Sequence, residues 1–395
     1  MLREAIDDKP IINAQGIVGT AVRIYNSSHI EINNLELTNT NGTDLDQGDL
    51  RGIHVIAENA GIVEHITVKN LYVHDVNGKV AGKQRGGIHF NVYGNEVPTR
   101  MNNVHILDNR VEDVGGVGIA NQSSWGGIDT ETYYPWQGLV MRGNRVSRTG
   151  RNNMIVRYST SPIVEYNVLA YSSRYNHGHS VFNFNTEDCI VQFNEAYGNT
   201  GPVDEPDRGG FDADYNARRT IIQYNYSHDN HWFAGIMRRF NDGVKIRYNI
   251  SQNELLGAYL YGFPGEKGAK NIEIYNNTHY FRPGINGQIF VQAGRNRVAI
   301  ETSFKNNIFY FSSPSEWGRE PSDEVTFENN LFYNVSPKGT DYVSGDPLFV
   351  EPGIGGTGID MTQTNRLSGY QLQANSPAIN AGTSIDGNGG LDFWG

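Results

Sequence analysis

The chain has 395 residues with 46 glycines and 14 prolines, and 11% of it is aromatic while only 19% is charged, a composition rich in turns and rings that argues against disorder. Its 43 acidic and 32 basic residues give a net charge of −11, which repels a nucleic-acid backbone and leaves nucleic acid out as a partner. No apolar run reaches the roughly 18 residues of a membrane helix, so membrane insertion is not expected, and one cysteine, Cys189, leaves neither a disulfide framework nor a multi-cysteine metal site.

In chain order, short apolar strands broken by Asn recur as IEINNLEL, ITVKNLYV, VHILDNRV, IVEYNVLA, IVQFNEAY, IIQYNYSH, VKIRYNIS, IEIYNNTHY, FKNNIFYF and VTFENNLF. The recurring Asn positions are 34, 70, 109, 144, 167, 194, 225, 249, 277, 307 and 330, at intervals of 23 to 39 residues. A unit of about 23 residues, lengthened by loops at one corner, is the mark of a solenoid. Its strands are too short to bury a face alone and gain partners by stacking about 4.8 Å apart. Asn suits a stacked corner, since it tolerates left-handed geometry and its amide both donates and accepts.

A second series of strands precedes the Asn strands: GIHFNV, GIANQS, NMIVRY, SVFNFN, GFDADY, GIMRRF, GAYLYG and GQIFVQ. Alternation assigns Ile88, Phe90, Phe182, Phe184, Phe211, Ala213, Ala258 and Leu260 inward. It assigns His89, Asn91, Asn183, Asn185, Asp212, Asp214, Tyr259 and Tyr261 outward, with Arg157 and one of Arg238 or Arg239 joining them. This stripe of carboxylates, guanidinium groups, imidazole and phenols suits a hydroxyl-rich ligand, with rings to stack on sugar faces. Insertions carrying Trp125 and Trp136 and the loop GNTGPVDEPDRGG are expected to wall a groove beside it. His177 and His179 lie just ahead of Asn183, and His228 and His231 just ahead of the Arg pair.

The densest acid cluster is VDEPDRGGFDAD, with Asp204, Glu205, Asp207, Asp212 and Asp214, interrupted by the base Arg208. Asp212 and Asp214 are two apart on one strand, with Cα atoms roughly 6.5 to 7 Å apart. Glycosidases place their two carboxyl groups about 5 to 5.5 Å apart for retention and about 6.5 to 9.5 Å apart for inversion. Asp212 and Asp214 are therefore the expected acid and its partner, and Asp207 is the third candidate. Arg157, Arg208, Arg238 and Arg239 are expected substrate-binding residues, either as a base that removes a proton or as clamps on a substrate carboxylate. No metal ligand is assigned, although clustered carboxylates also suit calcium.

These coils resemble the right-handed parallel β-helix of the pectin-lyase-like superfamily, a group of mostly secreted proteins that act on carbohydrates. The resemblance covers nearly the whole chain and implies an all-β solenoid of about eleven coils over residues 1–340. The tail DPLFV…YQLQANSPAIN, within 341–395, is similar to the closing segment of such proteins and is expected to cap the solenoid. Neighbouring acids on one coil are also similar to those of β-helix glycosidases such as lacto-N-biosidase-like enzymes. The polygalacturonase elements are not assembled here, since the HGH at 177–179 precedes the acids.

The resemblance implies a glycoside hydrolase acting on an oligosaccharide or polysaccharide. Two alternatives stand: a calcium-dependent lyase or epimerase acting on uronates, and a non-catalytic glycan-binding solenoid. It also implies a secreted, cell-surface or periplasmic location, with the signal segment not present in this chain because MLREAIDDKP lacks an apolar core. Sugar, linkage and oligomeric state are not legible.

Overall fold

The computed structural model describes residues 9–16, 19–40, 48–199, 201, 207–236, 239–261, 268–292 and 301–395. A coil contributes three short strands, as in Met154–Thr160, Ile163–Glu165 and Val168–Ala170. Each strand pairs in parallel with its counterpart one coil on: Met154 with Val181, Ile163 with Ile190 and Val168 with Glu195. Among the described residues, repetition builds a 13-stranded and a 23-stranded sheet, the larger covering two of the three faces. The chain is thus an all-β parallel β-helix; the one helical turn among the described residues is Ser368–Tyr370.

Each coil adds one residue to each interior column. Leu37, Val73, Val111, Val146, Leu169 and Ala196 follow one another in register and are fully buried. Sheets covered on their inner face by such columns hold their register, because a slip of one residue would turn every column outward.

The Asn column runs unbroken from Asn109 through Asn144, Asn167, Asn194, Asn225, Asn249, Asn277 and Asn307 to Asn330. At each step one Oδ1 accepts both the backbone N–H and the side-chain amide of the Asn before it, as Asn225 does for Asn194 at 2.9 and 3.0 Å. The Nδ2 of Asn225 also donates to Val191 O at 2.9 Å, so a fully buried amide is satisfied.

Left-handed geometry falls one residue earlier than the sequence reading puts it. Asp108, Tyr166, Phe193, Tyr224, Tyr248 and Asn276 take φ between 51° and 55°. Asn34 and Asn70 belong to this second column, at φ 57° and 53°, and Leu71 takes the ladder position, donating its N–H to Asn109 Oδ1. A bulky residue at positive φ is strained. Here the rings compensate by stacking: Tyr166 on Phe193 at 5.0 Å, Phe193 on Tyr224 at 5.1 Å and Tyr224 on Tyr248 at 5.4 Å.

In the closing segment, Val343–Ser344 extends the smaller sheet. Phe349, Met361, Leu367, Tyr370 and Phe393 then pack along its flank against Tyr226, Ile250 and Tyr280. Gly358 and Ile359 donate their N–H groups to the Glu195 carboxylate at 2.8 and 2.9 Å. Glu195 also accepts from His228 Nε2 at 3.1 Å, and His228 Nδ1 lies 2.7 Å from Asp229.

Candidate active site

A cleft of about 360 Å³ opens on the face that carries the predicted stripe, lined by Lys83, Gln84, Gln122, Arg157, Tyr158, Phe182, Phe184, Asp214 and Tyr215. Successive coils supply its floor, since Arg157 pairs with Phe184 and Asn183 with Ala213, one residue before Asp214. Arg157 donates to Gln122 Oε1 at 2.6 Å. Lys83 Nζ lies 4.5 Å over the Phe182 ring and Arg157 Cζ 5.4 Å from it. Arg239, exposed, lies 4.9 Å over the Tyr215 ring.

The walls are loops between strands. Residues 77–85 fold over the floor and bring Lys83 and Gln84 to it. The insertion after Ser123 is tied down by the Arg218–Asp129 ion pair, the Tyr133 hydroxyl on Glu187, and the Ile128 N–H on Asn185 Oδ1. Within that insertion Trp136 is fully buried and Trp125 packs on the core, so neither stands as a platform in the cleft.

Burial pushes Lys83 down to about 8, with Asp214 and Asp207 opposing the shift and Arg157 and Arg151 adding to it. Asp214 also acts on Arg157 electrostatically. Asp214 is therefore a carboxylate set among cations on the cleft floor. Asp207 is the second acid within electrostatic reach of Lys83, its side chain 29% exposed.

Asp212 stacks on Phe182 and Gly235 in the outward column, as expected, yet its side chain is 1% exposed. Its Oδ2 is 3.3 Å from His179 Nε2, and a Cβ at Gly235 would lie 2.3 Å from its Oδ1. The expected pairing of two groove-facing acids on one strand is therefore corrected: Asp214 lines the cleft and Asp212 lies under cover.

Other assignments are corrected too. Asn183 points inward and donates to Thr186 and Thr220 hydroxyls at 2.6 and 2.7 Å, while Phe182 and Phe184 face out into the cleft. Tyr259 is a core residue packed on Phe233, Phe290 and Phe304, its hydroxyl 2.9 Å from His279 Nε2. Leu260 takes the outward place, in an apolar patch with Trp232 and Val291. Alternation misleads here because a parallel strand covered on both faces carries apolar residues on both.

His89 and Asn91 lie outward but are covered: His89 Nε2 is 3.3 Å from Val117 O and Asn91 accepts from His54 Nε2 at 2.9 Å. His177 accepts from Arg151 at 2.7 Å, and Arg208 is buried, donating to Gly201 O at 2.6 Å. Burial, with Arg208 nearby, pushes His231 down to about 4. Arg238 and the side chain of Tyr261 lie outside the described residues. Sequence reasoning missed Lys83, Gln84, Gln122, Tyr158, Phe182, Phe184 and Tyr215. Phe182 and Phe184 were visible only as inward residues, and nothing local tells which loop will fold over a floor.

No family model matches the chain. The chain is similar to the lacto-N-biosidase of Bifidobacterium longum subsp. longum, at 28% identity over 366 residues, covering 75% of this chain and 22% of the relative. It thus spans about a fifth of the length of the curated relative it matches. Crystal structures of the GH136 lacto-N-biosidase of Eubacterium ramulus, as native protein and selenomethionine derivative, superpose with TM-scores of 0.57 and 0.58. Each is 22% identical and the match covers 73% of this chain and 56% of that one. At that identity the likeness is one of fold, and it agrees with the parallel β-helix built here from the coils upward.

Proposed function

We propose that this chain is the β-helix part of a glycoside hydrolase that cleaves a glycosidic bond of an oligosaccharide in the cleft above Asp214. The observation that carries the reading is the cleft floor itself: one carboxylate, Asp214, among Lys83, Arg157 and four aromatic rings, with Asp207 a second acid within electrostatic reach of Lys83. The rings suit sugar faces, and the glutamine amides suit hydroxyl or acetamido groups.

Asp214, set beside the cations Lys83 and Arg157, is the nucleophile or base. Asp207, close to the covered Asp212, is the acid that protonates the leaving oxygen, because a carboxyl group beside a like charge is the one that keeps its proton. Likeness to lacto-N-biosidases supports a lacto-N-bioside as the glycan to test first. A secreted or cell-surface location fits such a substrate, and among the described residues no helix is long and apolar enough to cross a membrane.

The test is turnover of a chromogenic lacto-N-bioside. Asp214→Asn and Asp207→Asn should each lower kcat at least about 10²-fold with melting temperature unchanged, since the isosteric change keeps packing. The double variant should lose little more, because the two act on one transition state. A chelator should leave the wild type active. Full activity in both single variants would overturn the reading.

A second reading is favoured by Lys83, which burial brings to about 8 and which is therefore suited to abstract a proton in a uronate lyase. That reading requires an ultraviolet-absorbing unsaturated product, lost in Lys83→Met.

A further inference from the structure

His179 lies between the carboxylate assigned to chemistry and the one kept under cover. Its Nδ1 accepts the Gly209 N–H at 3.3 Å, so Nε2 carries the ring proton. That N–H faces Asp212 Oδ2 at 3.3 Å and Asp207 Oδ1 at 3.9 Å. The ring is clamped on both sides, tilted on Trp232 at 5.0 Å and edge-on to Phe182 at 6.2 Å. Trp232 in turn fills the space above Gly209, where a Cβ would come within 2.0 Å of the indole. Any side chain at position 209 would therefore displace the indole that holds the imidazole.

We propose that His179 is a positioning residue that couples the buried Asp212 to Asp207 and so sets the pH above which Asp207 stops acting as an acid. The proposal rests on the reading of Asp207 as the acid. An N–H donor between two carboxylates offsets their repulsion, while the charge on Asp212 favours retention of a proton on Asp207. Besides these two acids, the described residues bring Lys83 and Arg157 toward the ring, both over the neighbouring Phe182. Arg208 adjoins Gly209 in the chain, and Arg151 is bonded to His177, two residues before His179.

The proposal predicts opposite movements of one limb of the pH profile. In Asp212→Asn the negative neighbour is gone, and the basic limb of kcat/KM should move down by about one pH unit. In His179→Ala the donor is gone and the two carboxylates face each other, so the same limb should move up. In that variant kcat should fall at least about tenfold and KM stay within about twofold. His179→Gln, which keeps a donor, should hold the limb near that of the wild type. A general loss of packing cannot move the limb both ways, and a limb that stays in place in Asp212→Asn and His179→Ala overturns the proposal.

Imidazole nitrogen NMR supplies a readout without substrate. The wild type should show His179 as the Nε2–H tautomer, and Asp212→Asn should lower the pH at which His179 titrates. The opposite tautomer, or an unchanged titration, would overturn the positioning role whatever the reaction is. Full activity of Asp214→Asn would instead overturn the hydrolase reading while leaving the NMR result standing.

Discussion

Tyr259 shows how far one residue departs from its place in a pattern. GAYLYG reads as small and apolar residues inward with tyrosines out, but the tyrosine ring enters the core and shares a hydrogen bond with a buried His279. Burial pushes His279 down to about 3, so its imidazole is neutral and joins the bond without a charge to solvate. Tyr259→Phe should therefore cost about 1 kcal/mol, the worth of one buried hydrogen bond with a polar partner left behind. Tyr259→Ala should cost about 3 to 5 kcal/mol, as large-to-small changes of buried aromatics do. Chemical denaturation of the two variants checks both figures; a Tyr259→Ala variant as stable as the wild type would return the ring to the surface. Asp212 teaches the same lesson from the other side. Its strand position is legible, but its cover, His179 and Gly235, comes from neighbouring coils that no local pattern reveals.

Among elements, the Asn column is the most regular feature and the one best read from sequence. Its nine members from Asn109 to Asn330 were named from spacing, because an amide is the side chain that can bond along a column in both directions at once. What spacing did not show is that the left-handed residue is the one before, where Asn, Asp, Gly, Tyr and Phe alternate without a composition signal. Asn225→Ala should be more destabilising than its size suggests. It removes the acceptor for two donors of Asn194 and the donor to Val191 O, all buried. With each buried orphan costing about 1 to 3 kcal/mol, a loss above about 2 kcal/mol is expected. An unfolding midpoint within error of the wild type would mean that the column relaxes onto other partners.

For the whole molecule, the closing segment is held to the flank by a buried charge cluster. Burial alone would lower the His228 pKa, but hydrogen bonds to Asp229 and Glu195 outweigh it and hold the ring at about 9. A folded value above the unfolded one means stability that is fully present below about pH 6.5 and lost as pH rises through about 9. Buried Glu254, raised by burial to about 7, adds a loss in the same direction at lower pH. The wild type should therefore lose melting temperature between pH 6.5 and 9, and His228→Gln should flatten that part of the curve; parallel curves would show that the cluster does not titrate with folding. The sequence by itself determined the coil, the Asn column, the face on which the cleft opens and the strand that brings Asp214 to it, because these depend on period, and period survives stacking. The tertiary structure alone decided which acid reaches the cleft, that Lys83 closes over it, that Tyr259 and Asn183 turn inward, and where the tail lies. Each of these depends on contacts between residues one or more coils apart, and insertions of variable length carry no signal of the surface onto which they fold.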